Sequence, residues 1–313
     1  MGIRVLKGGM MTTVQDLGRT GYQSQGFSVS GVMDVRSFKI ANLLLDNPEN
    51  EAVLEFTLIG PTLEFTSETI ISITGGDFRP QINGKPAKMY TAIYMHRGDI
   101  LTFGGARTGT RGYIAFSSYL DVPVVMGSRS TNIKCQIGGY KGRKLEDEDY
   151  IAFRAKRRYL PYYLSRSLDL DEFDQEKITL RVVMGPQEKM FTKEGRETFL
   201  NSEYTVTSEF DRMGCRLEGP FIAYKTTSDI ISDGIAFGSV QVPSHGKPII
   251  LLADRQTTGG YAKIATVVSV DIPKLVQRKT EQKVRFQAVS VEEAQKLLAD
   301  EMKELNDFRS KIY

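Results

Sequence analysis

A mainly β fold in two successive halves, with a few short helices, is what this sequence predicts, and three observations carry it. Most of the chain consists of short alternating runs punctuated by Gly, Pro, Asn and Asp, the habit of all-β sandwiches and barrels. Its 313 residues suffice for two domains that each bury a core. Between Arg154 and Lys177 the composition turns basic and then acidic, with aromatics around Pro161, which marks a boundary. The expected organisation is an N-terminal β domain over 1–153, a linker over 154–177, a C-terminal β domain over 178–290 and a helical extension over 291–313.

In the first half, Thr12 to Tyr22 and Ser28 to Asp34 make a long glycine-rich polar stretch ahead of a helix. It would present Gln15, Asp16, Arg19 and Asp34 to a pocket. The structural alternative has Asp16 and Asp34 as turn or helix-cap acceptors with Arg19 paired to one of them, and for Asp34 capping is the stronger role. Val35 to Leu45 carries Phe38, Ala41, Leu44 and Leu45 near helical spacing and stops at Asn47-Pro48, so a helix is expected there. Glu51 to Phe65, Thr69 to Thr74, Asp99 to Phe103 and Arg111 to Phe116 read as strands. The Gly104 to Gly112 loop suits an anion, through backbone N–H groups and guanidinium, although hairpin turns recruit glycine as heavily. The clusters at 127–132, with Ser128, Arg129 and Asn132, and at 138–143 resemble an anion or amide recognition surface.

The second half opens with Ile178 to Met184, a strand closed by Gly185-Pro186. Gly60-Pro61 and Gly219-Pro220 each precede an alternating stretch, a weak echo between the halves, since Gly-Pro commonly opens strands. Asp211 and Arg212 fall at a turn between strands. Ser232 to Val267 then packs acids, bases, amides and glycines between apolar strands. Ile249 to Leu252 is a buried strand ending at Asp254-Arg255, Gln256 to Gly260 a glycine-hinged loop, and Tyr261 to Val268 a further strand. Polar groups on such a loop at a strand end point to function, with a hairpin bearing a solvated tip as the alternative. Val291 to Tyr313 reads as a helix with a Ser290/Glu293 capping box, serving as a solvated extension or a docking helix.

Composition narrows the function classes. The formal net charge is +3 with acids and bases interspersed, which gives no ground for a nucleic-acid or anionic-membrane partner. No apolar run reaches transmembrane length and the N-terminus is too polar for a signal peptide, so a cytoplasmic location is expected. Cys135 and Cys215, with His96 and His245, form no metal motif, and no Walker-type glycine loop is present. If Asp211, Asp229, Asp233 and Asp254 converge at one barrel mouth, they could bind magnesium or shuttle protons while Arg212, Arg255 and Lys263 stabilise negative charge. Otherwise they are surface ion pairs of little energetic weight.

Seven stretches appear in order: TTVQDLGRTGYQ, SGVMD, GPTLEF, TGGD, GSRSTN, EFDRMGCRLEGP and SDGIAFGSVQVP…ADRQTTGGYAKIATV. This series closely resembles the family of 5-oxoprolinase C-type subunits, also called allophanate hydrolase subunit 2, KipA or biotin-dependent carboxyltransferase, and it spans nearly the whole chain. Val32 and Gly76 stand where alanine is usual and Cys215 where an aromatic is expected, so no charged group is lost. The resemblance implies tandem cyclophilin-like β-barrel domains working with two partner subunits, a KipI-like B-type one and an A-type one. Such assemblies use ATP and Mg2+ to open the lactam of 5-oxo-L-proline to L-glutamate. The residues expected to carry the chemistry are Asp211, Arg212, Asp254, Arg255 and Lys263. Substrate would be held by Gln15, Arg19, Ser128, Arg129, Asn132, Ser239, Gln241, Gln256, Thr257, Thr258 and Tyr261. The family also implies two alternatives: biotin-dependent carboxyl transfer to urea or a related amide, and regulation by antagonising a KipI-like kinase inhibitor.

Overall fold

The computed structural model describes residues 1–156, 159–170 and 173–312. Arg157, Arg158, Asp171 and Glu172 of the expected linker, and Tyr313 of the expected helix, lie outside the described residues. The chain divides into two compact units, one holding 1–20, 30–174 and 304–313, the other 21–29 and 175–303.

The first unit is built on two antiparallel sheets. One runs in the order 150–152, 2–7, 62–65, 100–102, 81–82, 85–86, and the other 11–15, 53–57, 111–116, 69–75, 92–95. Ile3, Val5 and Leu63 of the first sheet join Leu54, Phe56, Ile73 and Ile114 of the second in one core. The opposite face of the second sheet packs Val53, Ile70, Tyr113 and Ala115 with Phe38, Ala41 and Leu45 of the expected helix, which spans Val35–Leu44. The strands Thr69–Gly75 and Arg111–Phe116 are therefore buried on both faces, which is why they read as near-continuous apolar runs. Asp34 caps the helix as expected, accepting from Ser37 N at 2.9 Å and Ser37 Oγ at 2.7 Å. Asp34→Ala should cost about 1 kcal/mol or more in chemical denaturation.

The second unit is a closed barrel of seven strands in the order 177–184, 263–267, 239–241, 249–251, 214–218, 204–210, 283–288. Closure comes from parallel pairing of the first and last strands, Lys177 opposite Lys283 through Val182 opposite Ala288. Leu180, Val206, Val240, Ile250, Ile264 and Val284 are fully buried, and Phe199 of the helix Lys193–Asn201 stacks on Phe286 at 4.4 Å. Near the barrel's first strand, the buried Asp271 carboxylate accepts from Arg181 N and Nε and from Lys274 Nζ, each at 2.8 Å. The mainly β expectation therefore holds.

Three local expectations are corrected. Residues 258–260, read as part of a glycine-hinged loop, belong to the strand Thr258–Tyr261, which pairs with Asp229–Gly234 in a two-stranded ribbon. The run expected as one strand over 261–268 breaks at Ala262, whose N–H bonds Ser228 O at 2.9 Å and whose C=O accepts from Val242 N at 3.1 Å. The chain thus passes from ribbon to barrel within one residue, which an apolar alternation does not register. The Gly-Pro echo also fails, because Gly60-Pro61 opens the strand Thr62–Phe65 while Gly219-Pro220 follows the end of Gly214–Glu218 and leads into irregular chain.

The C-terminal helix is Val291–Ile312, and its capping box is formed: Ser290 N donates to Glu293 Oε2 at 2.7 Å and Glu293 N to Ser290 Oγ at 3.1 Å. Its last turns are not a solvated extension, since Leu305, Phe308 and Ile312 are buried with Ile40, Leu44 and Leu168 of the first unit.

Candidate functional site

A cleft of about 580 Å³ opens on the second unit, within the size range of small-molecule sites. Two walls meet there. One is the turn Asp211–Met213, which joins strands Tyr204–Phe210 and Gly214–Glu218; the other is the ribbon strand carrying Gly259, Gly260 and Tyr261, with Gln256 just before it. Gln241 reaches the cleft from the barrel strand Ser239–Gln241.

Asp211 is exposed, and its Oδ1 accepts from Met213 N at 2.7 Å and Gly214 N at 3.1 Å. One carboxylate oxygen thereby fixes the turn. Arg212 directs its guanidinium at Asp254, with Nε to Oδ2 at 2.9 Å and Nη2 to Oδ1 at 3.3 Å, and Arg212 O accepts from Asp254 N at 2.8 Å. The two-point contact ties the turn to the segment leading to Gln256. Arg212→Lys keeps the charge but loses the fork, and should cost about 1–2 kcal/mol by chemical denaturation.

Arg255 is buried and donates to two carbonyls, Ile235 O at 3.1 Å and Leu252 O at 3.2 Å, beside the Phe237 ring. Burial lowers its pKa. Its own C=O accepts from Ser28 Oγ at 2.7 Å. Lys263 is buried to 5% side-chain exposure and donates to Asp233 Oδ2 at 2.6 Å and to Gly234 O at 2.9 Å, anchoring the ribbon. That hydrogen bond lowers the pKa of Asp233. Gln187, absent from the expected site, completes this contact by accepting from Lys263 N at 3.2 Å and donating to Asp233 Oδ2 at 3.3 Å.

Among the residues expected to hold substrate, Gln241, Gln256 and Tyr261 line the cleft, while Ser239, Thr257 and Thr258 are not part of its lining. Gln241 Nε2 donates to Tyr261 O at 3.3 Å. A Cβ on Gly259 would stand 2.8 Å from that same Nε2, so the bare glycine leaves room for the amide. Arg216 and Glu209, paired at 2.9 Å, also line the cleft and were missed. Arg216 lies within the expected EFDRMGCRLEGP motif on an outward position of its strand, a signal that alternation alone could have supplied.

Gln15, Arg19, Ser128, Arg129 and Asn132 lie in the first unit, where Ser128 and the Arg129 main chain bond the Asp16 side chain. The buried Asp16 carboxylate accepts from Ser128 Oγ, Ser130 Oγ and Arg129 N, each at 2.6 Å, and from Gly18 N at 2.8 Å. Gln15 Nε2 donates to Thr131 O at 3.1 Å, Arg19 Nη2 to Ser130 O, and Asn132 Nδ2 to Ser30 Oγ at 3.0 Å. The hydroxyls expected to form a recognition surface are turned onto one buried carboxylate, which burial without partners would make costly.

The carboxylates considered for magnesium do not converge: Asp254 is held by Arg212, Asp233 by Lys263, and Asp211 closes a turn. Among the described residues no group of three or more His, Cys, Asp or Glu is placed to hold a metal ion. The cleft instead offers the Asp211 carboxylate oxygen left by the turn bonds, two primary amides, a half-exposed phenol ring and the Arg216–Glu209 pair. That set suits a small polar molecule that both donates and accepts hydrogen bonds.

The family described as "Carboxyltransferase domain, subdomain A and B" matches residues 25–288. The chain is 33% identical over 308 residues to the C-type subunit of the Escherichia coli 5-oxoprolinase, covering 96% of each. It is 31% identical to the "Urea amidolyase" of Lachancea kluyveri over 92% of this chain but 17% of that one. The crystal structure of the Kluyveromyces lactis urea carboxylase superposes with a TM-score of 0.90 at 29% identity, over 98% of this chain and 29% of that chain. No helix among the described residues is long and apolar enough to cross a membrane.

Proposed function

The chain belongs to the family of carboxyltransferase domains with subdomains A and B, and from that premise we propose that it is the C-type subunit of an ATP-dependent 5-oxoprolinase. With the A-type and B-type subunits it would open 5-oxo-L-proline to L-glutamate. One observation carries this reading: the match to the Escherichia coli 5-oxoprolinase subunit covers 96% of both chains, so the two are alike in extent as well as sequence.

In this reading the lactam lies in the barrel cleft. The Gln241 and Gln256 amides donate to its C=O and accept from its N–H, and Tyr261 covers one ring face. Asp211 takes a proton from the water that adds to the carbonyl carbon and returns it to the ring nitrogen; a C–O bond forms, the C–N bond breaks, and the protonated nitrogen leaves as the amine of glutamate. Arg212 with Asp254, and Lys263 with Asp233 and Gln187, act as positioning residues that hold the two walls. Among the described residues the carboxylates of this unit form no cluster that fits Mg2+-ATP, and ATP and Mg2+ would act at the level of the complex.

Close superposition on a urea carboxylase, TM-score 0.90, favours one second reading, carboxyl transfer to urea or a related amide in a biotin-dependent assembly. The same amides would serve a urea acceptor. The two readings separate when the chain is assembled with its partner subunits, then given labelled 5-oxoproline with ATP, or labelled bicarbonate with biotin carrier, ATP and urea. The 5-oxoprolinase reading expects label in glutamate only when this chain is present; label fixed into urea, with none in glutamate, would replace it. Within the same assay Gly259→Ala, which crowds Gln241 Nε2, should raise KM about tenfold with assembly unchanged.

A further inference from the structure

We propose that the first unit carries a second small-molecule site, independent of the barrel cleft, that takes a carboxylate with an apolar body. A cavity of about 600 Å³ lies where the TGGD segment, the Gly104–Thr108 loop and residues 86–90 meet. None of its lining residues takes part in the function proposed above.

The two glycine loops are joined backbone to backbone. A Cβ on Gly76 would stand 2.5 Å from Thr108 O, so only glycine permits the approach. Arg107 N donates to Asp77 O at 2.7 Å and Arg107 Nε to Asp77 Oδ2 at 2.7 Å, which neutralises that carboxylate.

The rim is cationic. Arg79 donates Nε and Nη2 to Gly105 O at 3.3 and 3.1 Å, its guanidinium lying beside Gly104 and Gly105, where a Cβ would come within 3.3 and 3.6 Å. Neither Arg79 nor Lys88 has a carboxylate partner among the described residues, and Lys88 is exposed at the cavity. Asp169 is the one lining carboxylate among the described residues outside the Asp77–Arg107 pair. Among the described lining residues, two unpaired cations against one anion favour a ligand with a single negative charge.

The floor is apolar, formed by Met89, Tyr90, Leu170 and Phe173. The Tyr90 hydroxyl is engaged with the main chain, accepting from Gly75 N at 3.1 Å and donating to Gly75 O at 2.9 Å. An apolar floor under a cationic rim recognises an amphipathic carboxylate by both of its ends.

The test uses the full chain and 4-phenylbutyrate as probe, titrated calorimetrically beside the amine of the same skeleton, 4-phenylbutylamine. One saturable carboxylate site is expected, weakened at least about tenfold by Lys88→Glu and by Leu170→Glu, with no matching binding of the amine. Lys88 is exposed, so its variant keeps the fold, checked by an unchanged thermal midpoint. Absence of saturable 4-phenylbutyrate binding, equal binding of the amine, or wild-type affinity in Lys88→Glu would each overturn the proposal.

Discussion

Replacing Asp211 by asparagine is expected to slow glutamate formation about 100-fold or more while leaving the barrel and its assembly unchanged. Asparagine retains an Oδ1 that accepts from Met213 N and Gly214 N, so the turn between Tyr204–Phe210 and Gly214–Glu218 is preserved. What it loses is the anionic oxygen that would accept a proton from water. Asp211→Ala removes the turn bonds as well and should lower the unfolding midpoint, so the pair of variants separates chemistry from structure. The check is steady-state glutamate release beside thermal unfolding; wild-type turnover in the asparagine variant would reduce Asp211 to a turn acceptor.

Asp271→Ala should destabilise the second unit by about 3 kcal/mol or more, because it strands a half-buried Arg181 guanidinium and opens the support of the first barrel strand. Burial raises the Asp271 pKa, but the hydrogen bonds from Arg181 and Lys274 outweigh it and hold the carboxyl below the usual range. A depressed folded-state pKa means stability that is present above the unfolded carboxylate's pKa and is lost as pH falls through the folded one. Denaturant titrations across the acid range should therefore show the wild type losing part of its advantage over Asp271→Ala as the pH drops. A constant gap between the two would deny the ion pair that role.

Much of the scaffold was legible because it is local. The helix Val35–Leu44, its Asp34 cap and the Ser290/Glu293 capping box depend on residues three apart, and the strands Thr69–Gly75 and Arg111–Phe116 on apolar runs. Long-range pairings were not legible. The strand 258–261 needs a partner some thirty residues earlier, and glycines at 259 and 260 argue locally for a loop. Glu55 is 2% exposed in mid-strand because it accepts from Met33 N and Tyr113 OH, each at 2.8 Å, partners that sequence spacing does not reveal.

The site was legible as a set of residue types but not as a geometry. Asp211, Gln241, Gln256 and Tyr261 do line one cleft, whereas Arg212, Asp254 and Lys263 are committed to ion pairs and Ser128 to a buried acid. Charge and hydrogen-bonding capacity read the same in a sequence whether they face a ligand or a neighbour. Arg216 and Gln187 were missed for that reason, one being an ordinary outward strand position and the other a turn residue.

In the proposed function the cleft is where 5-oxoproline is opened. The direct measurement is glutamate release from 5-oxoproline with ATP and Mg2+ by the assembled complex, comparing wild type with a Gln241→Ala/Gln256→Ala chain whose incorporation is verified by mass. Release should require this chain and fall by at least about 100-fold in the double variant. Undiminished release from a complex carrying the double variant, or release without this chain, would contradict the proposed function.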